Sequence, residues 1–234
     1  MMGRCVIVGG ANINNYDFIR EKLSADDYII FCDSGLKHME NLRVQPSLIV
    51  GDFDSHDNPH LDVETIVLPC EKDDTDTVYA VKEAIKRGYD NLLLIGVVGA
   101  RLDHTLGNVS ILLYLDSLGK KGCIIDDYSE MKIVSNEPAY IEDSYSFFSL
   151  LNISGTAKGI TIENAKYPLE NGEIEPGKPV YVICQSGLRS YIATRILEGY
   201  GFEAYNFAGG FRFYDAVMND RALIEAAFAC GMDK

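Results

Sequence analysis

The sequence predicts an α/β fold whose N-terminal domain contains a mostly parallel sheet. Short apolar runs alternate with helical patterns through the first half of the chain, and acidic or glycine-rich turns follow several of these runs. This alternation is typical of strands and helices packed in layers. The runs predicted as strands cover residues 5–8, 28–31, 48–50, 65–68 and 92–95.

Two helices of this domain are predicted by apolar spacing and by their end signals. In the first, Thr75 or Asp74 is the expected N-cap, apolar residues recur at helical spacing over 78–85, and Gly88 ends the helix. The second covers about residues 103–118 and closes the domain. A helix between two strands is the type of connection that parallel pairing requires.

The character of the sequence changes after residue 121. Strand-like segments at 122–125, 131–134, 146–151 and 159–163 follow one another without helices. They predict a β-rich unit that begins near residue 122. A strand at 180–184, a tight loop and a helix to residue 197 then predict a return to α/β structure. The predicted divisions are 1–121, 122–174 and 175–234.

Composition narrows the classes of function. The chain has 234 residues, 47% of them hydrophobic, and a net charge of −14. It is long enough for a substantial core, and its charge argues against nucleic-acid or anionic-membrane partners. No segment approaches a membrane span, and the first apolar run is too short for a signal peptide, so a cytoplasmic location is expected. The six cysteines show no Cys-x-x-Cys spacing, which argues against structural zinc and a disulfide framework.

Two acidic motifs are the main functional signal. Gly51-Asp52-Phe53-Asp54-Ser55 follows one predicted strand, and Lys72-Asp73-Asp74-Thr75-Asp76 begins a helix about twenty residues later. Asp33 follows another strand at the same edge of the sheet. Each residue alone could be a cap or a turn former. Together, such carboxylates would repel one another unless a cation or a basic partner such as Lys72 neutralised them, and Asp52 and Asp54 could reach one Mg²⁺ if the backbone stays extended.

A third polar group follows the strand at 92–95. Small residues there let the backbone approach a ligand, Arg101 can bind phosphate oxygens, and Asp103 can cap the next helix or bind a ligand hydroxyl. His104 is equally consistent with a structural or a catalytic role. The group consists of Gly96, Gly99, Arg101, Asp103, His104 and Asn108.

These motifs, in this order and spacing, resemble the thiamine pyrophosphokinase (thiamin diphosphokinase) family over about residues 1–175. The resemblance is carried by Cys32-Asp33-Ser34-Gly35, Gly51-Asp52-Phe53-Asp54-Ser55, Lys72-Asp73-Asp74-Thr75-Asp76, Gly99-Ala100-Arg101-Leu102-Asp103-His104 and Lys166-Tyr167-Pro168-Leu169. It implies transfer of the pyrophosphoryl group of ATP to thiamine, with Mg²⁺, giving thiamine diphosphate and AMP. It also implies a homodimer.

The resemblance also implies roles for individual residues. The implied metal ligands are Asp52, Asp54 and Asp76, and these act in catalysis together with Asp73 and Lys72. Arg101 would balance phosphate charge. The residues expected to contact nucleotide or thiamine are Asp33, Gly35, Ser55, Thr75, Gly99, Arg101, Asp103, His104 and Asn108.

The C-terminal part departs from the family. Ala100 replaces the usual second glycine, and the final strands of the thiamine-binding β-sandwich are not found. Instead, residues 175–214 resemble the second half of a rhodanese-like domain, and Cys184 matches its active-site cysteine. The leading interpretation is a thiamine diphosphokinase whose thiamine-binding half is truncated. The alternatives are a sulfurtransferase with Cys184 as nucleophile and a non-catalytic nucleotide-binding fusion.

Overall fold

A computed structural model describes residues 3–53, 60–71, 74–99, 101–153, 155–165, 168–174, 180–182, 188–199 and 203–207. The chain forms two compact units, Met1–Ala139 and Tyr140–Lys234. No helix among the described residues is long and apolar enough to cross a membrane.

Unit 1 is built on a seven-stranded sheet. Its strands are β1 (Cys5–Val8), β2 (Tyr28–Cys32), β3 (Leu48–Gly51), β4 (Thr65–Val67), β5 (Asn91–Ile95), β6 (Lys121–Ile125) and β7 (Glu130–Lys132). They lie in the order β4-β3-β2-β1-β5-β6-β7, and β7 alone among them pairs in the antiparallel sense. The predicted mostly parallel α/β sheet is confirmed.

Unit 1 contains the two helices predicted from sequence and further short helices that were not predicted. They are α1 (Tyr16–Glu21), α2 (Met39–Leu42), α3 (Asp76–Lys86) and α4 (Leu102–Ser117), with a 3₁₀ helix at Asp33–His38. Of the two candidate N-caps of α3, Thr75 is the one used, since its Oγ1 accepts a hydrogen bond from the Val78 N–H at 3.3 Å. Gly88, at φ +92°, follows the end of α3 in the left-handed conformation.

The central strands are apolar throughout because both faces of the sheet are covered. Cys5 and Ile7 of β1 pack into one buried cluster, and Val6 and Val8 pack into the other. Successive side chains of a strand point to opposite faces, so an unbroken apolar run is what a doubly covered parallel strand needs.

The order of the strands creates a crevice at one edge of the sheet. The chain builds β2, β3 and β4 on one side of β1 and then crosses to the other side to build β5 and β6. The connections after β1 and β5 therefore leave in opposite directions. Ligands of open α/β sheets bind at the carboxyl ends of the strands, at this type of switch point.

The boundary of unit 1 lies later than the sequence pattern suggested. Strand β6 pairs with β5, and β7 pairs with β6, so the sheet continues past residue 121 and the unit extends to Ala139. Strands without intervening helices can extend an existing sheet as readily as they can begin a new one, and the pattern does not distinguish these cases. The division at residue 174 stays a prediction.

Unit 2 contains two small sheets in its described parts. Strands β8 (Ala157–Ile162) and β9 (Leu169–Ile174) form an antiparallel pair. Strands β10 (Val180–Val182) and β11 (Ala204–Asn206) are parallel, with α5 (Leu188–Gly199) between them in sequence. This strand–helix–strand order follows the predicted return to α/β structure. The predicted strand at 146–151 is wrong, because those residues form no regular element.

Candidate functional site

Three carboxylates meet at the carboxyl ends of β2 and β3 and the start of α3. Asp33 follows β2, Asp52 follows β3, and Asp76 is the first residue of α3. One oxygen of each lies within 4.8 Å of one oxygen of the others. Asp33 is only 2% exposed, and the oxygens Asp33 Oδ2 and Asp76 Oδ1 are shielded from solvent. We call these three residues the acidic cluster.

The acidic cluster fits a hard divalent cation. Its donors are carboxylate oxygens, which Mg²⁺ and Ca²⁺ prefer, and they come from elements held rigidly by the sheet. Like charges this close repel one another in a partly buried place. A bound cation would therefore reduce this repulsion and stabilise the arrangement of the three carboxylates.

The structure describes two of the three metal ligands predicted from sequence. Asp52 and Asp76 lie together as expected, and Asp33, predicted as a substrate contact, lies with them. Asp54, Ser55, Lys72, Asp73 and Cys184 lie outside the described residues, so their predicted roles stay predictions. The backbone after Asp52 does not continue as an extended strand, because Phe53 has φ +57°. The condition for aligning Asp52 with Asp54, an extended backbone, is therefore not met at Phe53, and the shared role of Asp54 stays a prediction.

Glycines allow the strand ends of the site to approach one another. A Cβ on Gly51 would lie 2.5 Å from Cβ of Asp33, so the absence of a side chain lets Asp33 lie against the end of β3. A Cβ on Gly35 would lie 2.2 Å from the carbonyl oxygen of Val8. Gly35 was predicted to contact nucleotide; in the structure it is buried against the end of β1.

A buried histidine holds the loop that follows β1. His38 is 2% exposed, and its Nε2 lies 2.8 Å from the carbonyl oxygen of Ala11. Its Nδ1 lies 2.7 Å from the hydroxyl oxygen of Tyr16. The carbonyl can only accept, so Nε2 carries the proton, and Nδ1 of the neutral ring accepts from Tyr16. Burial lowers the pKa of His38, which keeps the ring neutral.

Acid should therefore weaken the fold through His38. A histidine whose pKa is lower in the folded state stabilises the protein fully above its unfolded pKa, about 6.5, and loses that contribution as the pH falls. We expect the free energy of unfolding to fall below pH 6.5 by up to about 1.4 kcal/mol per pH unit from this group. Urea unfolding at pH 7.5, 6.5 and 5.5 measures this change in the free energy of unfolding.

The matched control uses the exposed His104. His38→Gln should flatten the pH dependence of the unfolding free energy, since the amide can still donate to Ala11 but does not titrate. His104→Gln should keep the wild-type slope. Equal slopes in the wild type and His38→Gln would refute the assignment.

The third predicted group lies around the N-terminus of α4. Arg101 Nη2 donates to Asp103 Oδ2 at 2.6 Å, and Arg101 Nε donates to Oδ1 at 3.2 Å. Hydrogen bonding from Arg101 lowers the pKa of Asp103 to about 2. Both side chains are exposed. Arg101, without a side-chain cap hydrogen bond, occupies the N-cap position, so the option that Asp103 caps this helix is not the one adopted.

Two further side chains fix the loop between β5 and α4. Asn108 is buried, and its Nδ2 donates to the carbonyl oxygen of Val97 at 2.8 Å. Thr105 Oγ1 accepts from the Gly99 N–H at 3.2 Å. Sequence reasoning named Asn108 and Gly99 as ligand contacts but missed Thr105. The signal for Thr105 was its place in the first turn of a helix, where a hydroxyl can bond backbone groups.

Comparison with known proteins agrees with this architecture. Residues 19–124 match the family model described as the catalytic domain of thiamin pyrophosphokinase. Thiamine pyrophosphokinase of Bacillus subtilis (strain 168) is 27% identical over 158 residues, which is 64% of this chain and 74% of the relative.

Solved structures give the same result. The crystal structure of thiamine pyrophosphokinase from Bacillus subtilis has a TM-score of 0.64 at 25% identity, covering 75% of this chain and 86% of its own. That of thiamin pyrophosphokinase from Geobacillus thermodenitrificans has a TM-score of 0.63 at 26% identity, covering 75% and 84%.

The family match contains the functional elements described above. It spans the acidic cluster, α3, Arg101 and α4, all of which lie between residues 19 and 124. The rhodanese-like resemblance of residues 175–214 stays a prediction. Residues 19–124 of this chain are therefore similar in sequence to the catalytic domain of thiamin pyrophosphokinase.

Proposed function

We propose that this chain is a thiamine diphosphokinase, which transfers the pyrophosphoryl group of ATP to the hydroxyethyl oxygen of thiamine and releases AMP. The observation that carries the proposal is the acidic cluster, three converging carboxylates inside the matched catalytic domain. The relative from Bacillus subtilis, named as a thiamine pyrophosphokinase, supports the choice of substrates.

The acidic cluster would hold Mg²⁺, with Asp54 proposed as a further ligand. When bound, such an ion neutralises charge on the phosphate oxygens of the nucleotide. Asp33 and Asp52 are fixed by adjacent strands, and Asp76 lies in the first turn of α3. Asp76 therefore lies at the positive end of the helix dipole, which is a favourable place for an acidic side chain.

Arg101 is the described cation best placed for phosphate. Its guanidinium lies at the start of α4, is 66% exposed and already adopts a two-point contact with Asp103. A phosphate can accept from the other N–H groups of the guanidinium while Asp103 keeps its two, which makes Arg101 a direct counter-charge in the transfer step. Asp103 stays ionised at neutral pH because of its low pKa, and it keeps the guanidinium oriented.

Positioning and charge are sufficient for this type of reaction. Phosphoryl-group transfer needs the two substrates held in line and the developing negative charge neutralised, rather than a covalent intermediate on the protein. The acidic cluster and Arg101 supply these functions from opposite sides of β1, since α3 and α4 follow strands on opposite sides of the switch point. Lys72 is proposed as a second counter-charge.

The test is the identity and ratio of the products. Purified protein with ATP, Mg²⁺ and thiamine should form AMP and thiamine diphosphate in equal amounts, quantified by chromatography. ADP with thiamine monophosphate would refute transfer of a pyrophosphoryl group. AMP without a thiamine product would show hydrolysis instead, and no product from a folded sample that binds ATP would refute the function.

From the family resemblance we also propose that the chain forms a homodimer and is located in the cytoplasm. Sedimentation equilibrium of the purified chain tests the oligomeric state, and a monomer at micromolar concentration would refute the dimer.

A further inference from the structure

Side chains of α4 hold the loop that connects β5 to this helix. Asn108 is buried, and its Nδ2 donates to the carbonyl oxygen of Val97 at 2.8 Å. Thr105 contacts the second half of the loop, because its Oγ1 accepts from the Gly99 N–H at 3.2 Å and lies 3.1 Å from the carbonyl oxygen of Arg101. The loop that ends at Arg101 is therefore fastened to the first two turns of α4.

The hydroxyl of Thr105 can make its two bonds at the same time. It has one proton to donate and lone pairs to accept, so it accepts from Gly99 while its proton goes to the carbonyl oxygen of Arg101. The carbonyl oxygen of Gly99, at 3.3 Å, is a second acceptor within reach. The Thr105 N–H also donates to the Arg101 carbonyl at 3.1 Å, as the first backbone bond of the helix. Thr105 thus joins both Gly99 and Arg101 to the start of α4.

The bond from Gly99 distinguishes Thr105 from an ordinary hydroxyl in a helix. Serine and threonine in helices commonly bond the carbonyl oxygen four residues earlier. Ser110 does so in the same helix, with its Oγ 3.1 Å from the carbonyl oxygen of Leu106. Thr105 makes that type of bond to Arg101 and also accepts from a residue outside the helix. Gly99 has φ +128°, a conformation that glycine adopts far more readily than other residues, so the hydroxyl holds a special backbone turn.

Arg101 depends on this backbone for its position, because its side chain is exposed. The guanidinium is 66% exposed and bonds to Asp103, which is also exposed and lies in the first turn of α4. An exposed ion pair of this kind contributes little to order. It orients the guanidinium but does not fix the backbone from which the side chain extends. Holding the backbone of Arg101 therefore limits the space that its guanidinium can sample.

We propose that the hydroxyl of Thr105 is a positioning group for Arg101, holding the turn from Gly99 to Arg101 so that the guanidinium faces the transferred phosphate groups. The proposal rests on the proposed function for the identity of what Arg101 binds. Thr105 does not touch the substrates and acts only through Arg101. Because a displaced charge stabilises a transition state poorly, loss of the hydroxyl lowers the rate although the cation itself is kept.

Two NMR measurements on Thr105→Val test the hold on the loop. This change removes the hydroxyl and keeps the shape of the side chain. Hydrogen–deuterium exchange of the Gly99 amide should become roughly tenfold faster, as expected for loss of one hydrogen bond. Arg101 lowers the pKa of Asp103 to about 2, and a less firmly held Arg101 should let this pKa rise towards its ordinary value. Thr105→Ser should restore both properties, because the hydroxyl is kept.

A kinetic test separates positioning of Arg101 from a general effect on the fold. Thr105→Val should lower kcat for thiamine diphosphate formation roughly tenfold, with the KM for thiamine little changed, since Arg101 acts on charge that develops in the transfer step. In an Arg101→Ala background, Thr105→Val should cause no further loss, because the group that it positions is gone. Single-turnover reactions with excess enzyme keep the slow background rate measurable. An equal loss in both backgrounds would overturn the proposal.

The matched control is Ser110→Ala, which removes a hydroxyl whose bond lies within α4. It should change neither the exchange of the Gly99 amide nor kcat. Unchanged Gly99 exchange in Thr105→Val, or failure of Thr105→Ser to restore the wild-type properties, would also contradict the positioning role. If the wild type forms no thiamine diphosphate, the proposed function fails, and the two NMR measurements, which involve no turnover, still decide whether Thr105 holds Arg101.

Discussion

Replacement of Asp52 by Asn is expected to lower thiamine diphosphate formation about a thousandfold. Asp52 is one of three carboxylates whose oxygens converge within 4.8 Å, and Asn keeps its size while removing one charge of the proposed cation site. Charge stabilisation by a bound metal is worth several kcal/mol, and about 4 kcal/mol corresponds to a thousandfold in rate. Initial rates at saturating ATP and thiamine measure the effect.

The same variant has an opposite effect on the metal-free fold. Removing one of three repelling carboxylates should leave the melting temperature in EDTA unchanged or raise it. Added Mg²⁺ should stabilise the wild type, by about 2.7 kcal/mol at a hundred times its dissociation constant, and should not stabilise Asp52→Asn to this extent. This readout is independent of catalysis.

Asp74→Asn is the matched control for Asp52→Asn. Asp74 belongs to the same acidic motif as Asp76, but its carboxylate pairs with Lys82 Nζ at 2.5 Å and is not part of the acidic cluster. The control makes the same change of charge and should keep both the rate and the Mg²⁺-dependent rise in melting temperature. Full activity of Asp52→Asn, or an equal loss in Asp74→Asn, would contradict the assignment of the cation site.

Gly35→Ala is expected to destabilise unit 1 strongly. The added Cβ would lie 2.2 Å from the carbonyl oxygen of Val8 and 2.9 Å from its carbon, and both are backbone atoms of β1. This steric clash is relieved only if β1 and the 3₁₀ helix at Asp33–His38 move apart. Overpacking of this kind costs about 3 kcal/mol, which lowers the melting temperature by roughly 6–12 °C in a chain of this length.

Separation of these two elements should also move Asp33, which is two residues from Gly35. The variant should therefore bind Mg²⁺ more weakly at a temperature where it is still folded, as measured by calorimetry.

Gly107→Ala makes the same chemical change in open space. Apart from neighbouring residues and the backbone of α4 itself, no atom of the described residues lies within 4 Å of the added Cβ, and Ala is favoured over Gly inside a helix by roughly 0.8–1 kcal/mol. The control should therefore melt at a higher temperature than the wild type. A Gly35→Ala protein as stable as the wild type would contradict the close packing of β1 against Gly35.

Local sequence determined most of the elements of unit 1. The apolar strands, the N-cap at Thr75 and the left-handed Gly88 all depend on residues close to one another in the chain. Periodicity and capping act over a few residues, so they can be read without knowledge of the fold. The family resemblance could also be read from local sequence, since each acidic motif is continuous in the chain. The match of residues 19–124 to the family model agrees with it.

Tertiary structure decided which of these groups act together. Asp33 belongs with Asp52 and Asp76 because β2 lies beside β3, and strand order is not written in any one segment. The antiparallel pairing of β7 at the edge of the sheet likewise depends on contacts between strands and not on one segment alone.

Local sequence could not predict the hydrogen bond between Asp127 and Asn14, because the two residues are 113 positions apart. The sequence therefore determined the strands, the helix ends and the acidic motifs of this protein. Only long-range packing of the sheet decided the composition of the acidic cluster and the contact between Asp127 and Asn14, because both depend on contacts between segments distant in the chain.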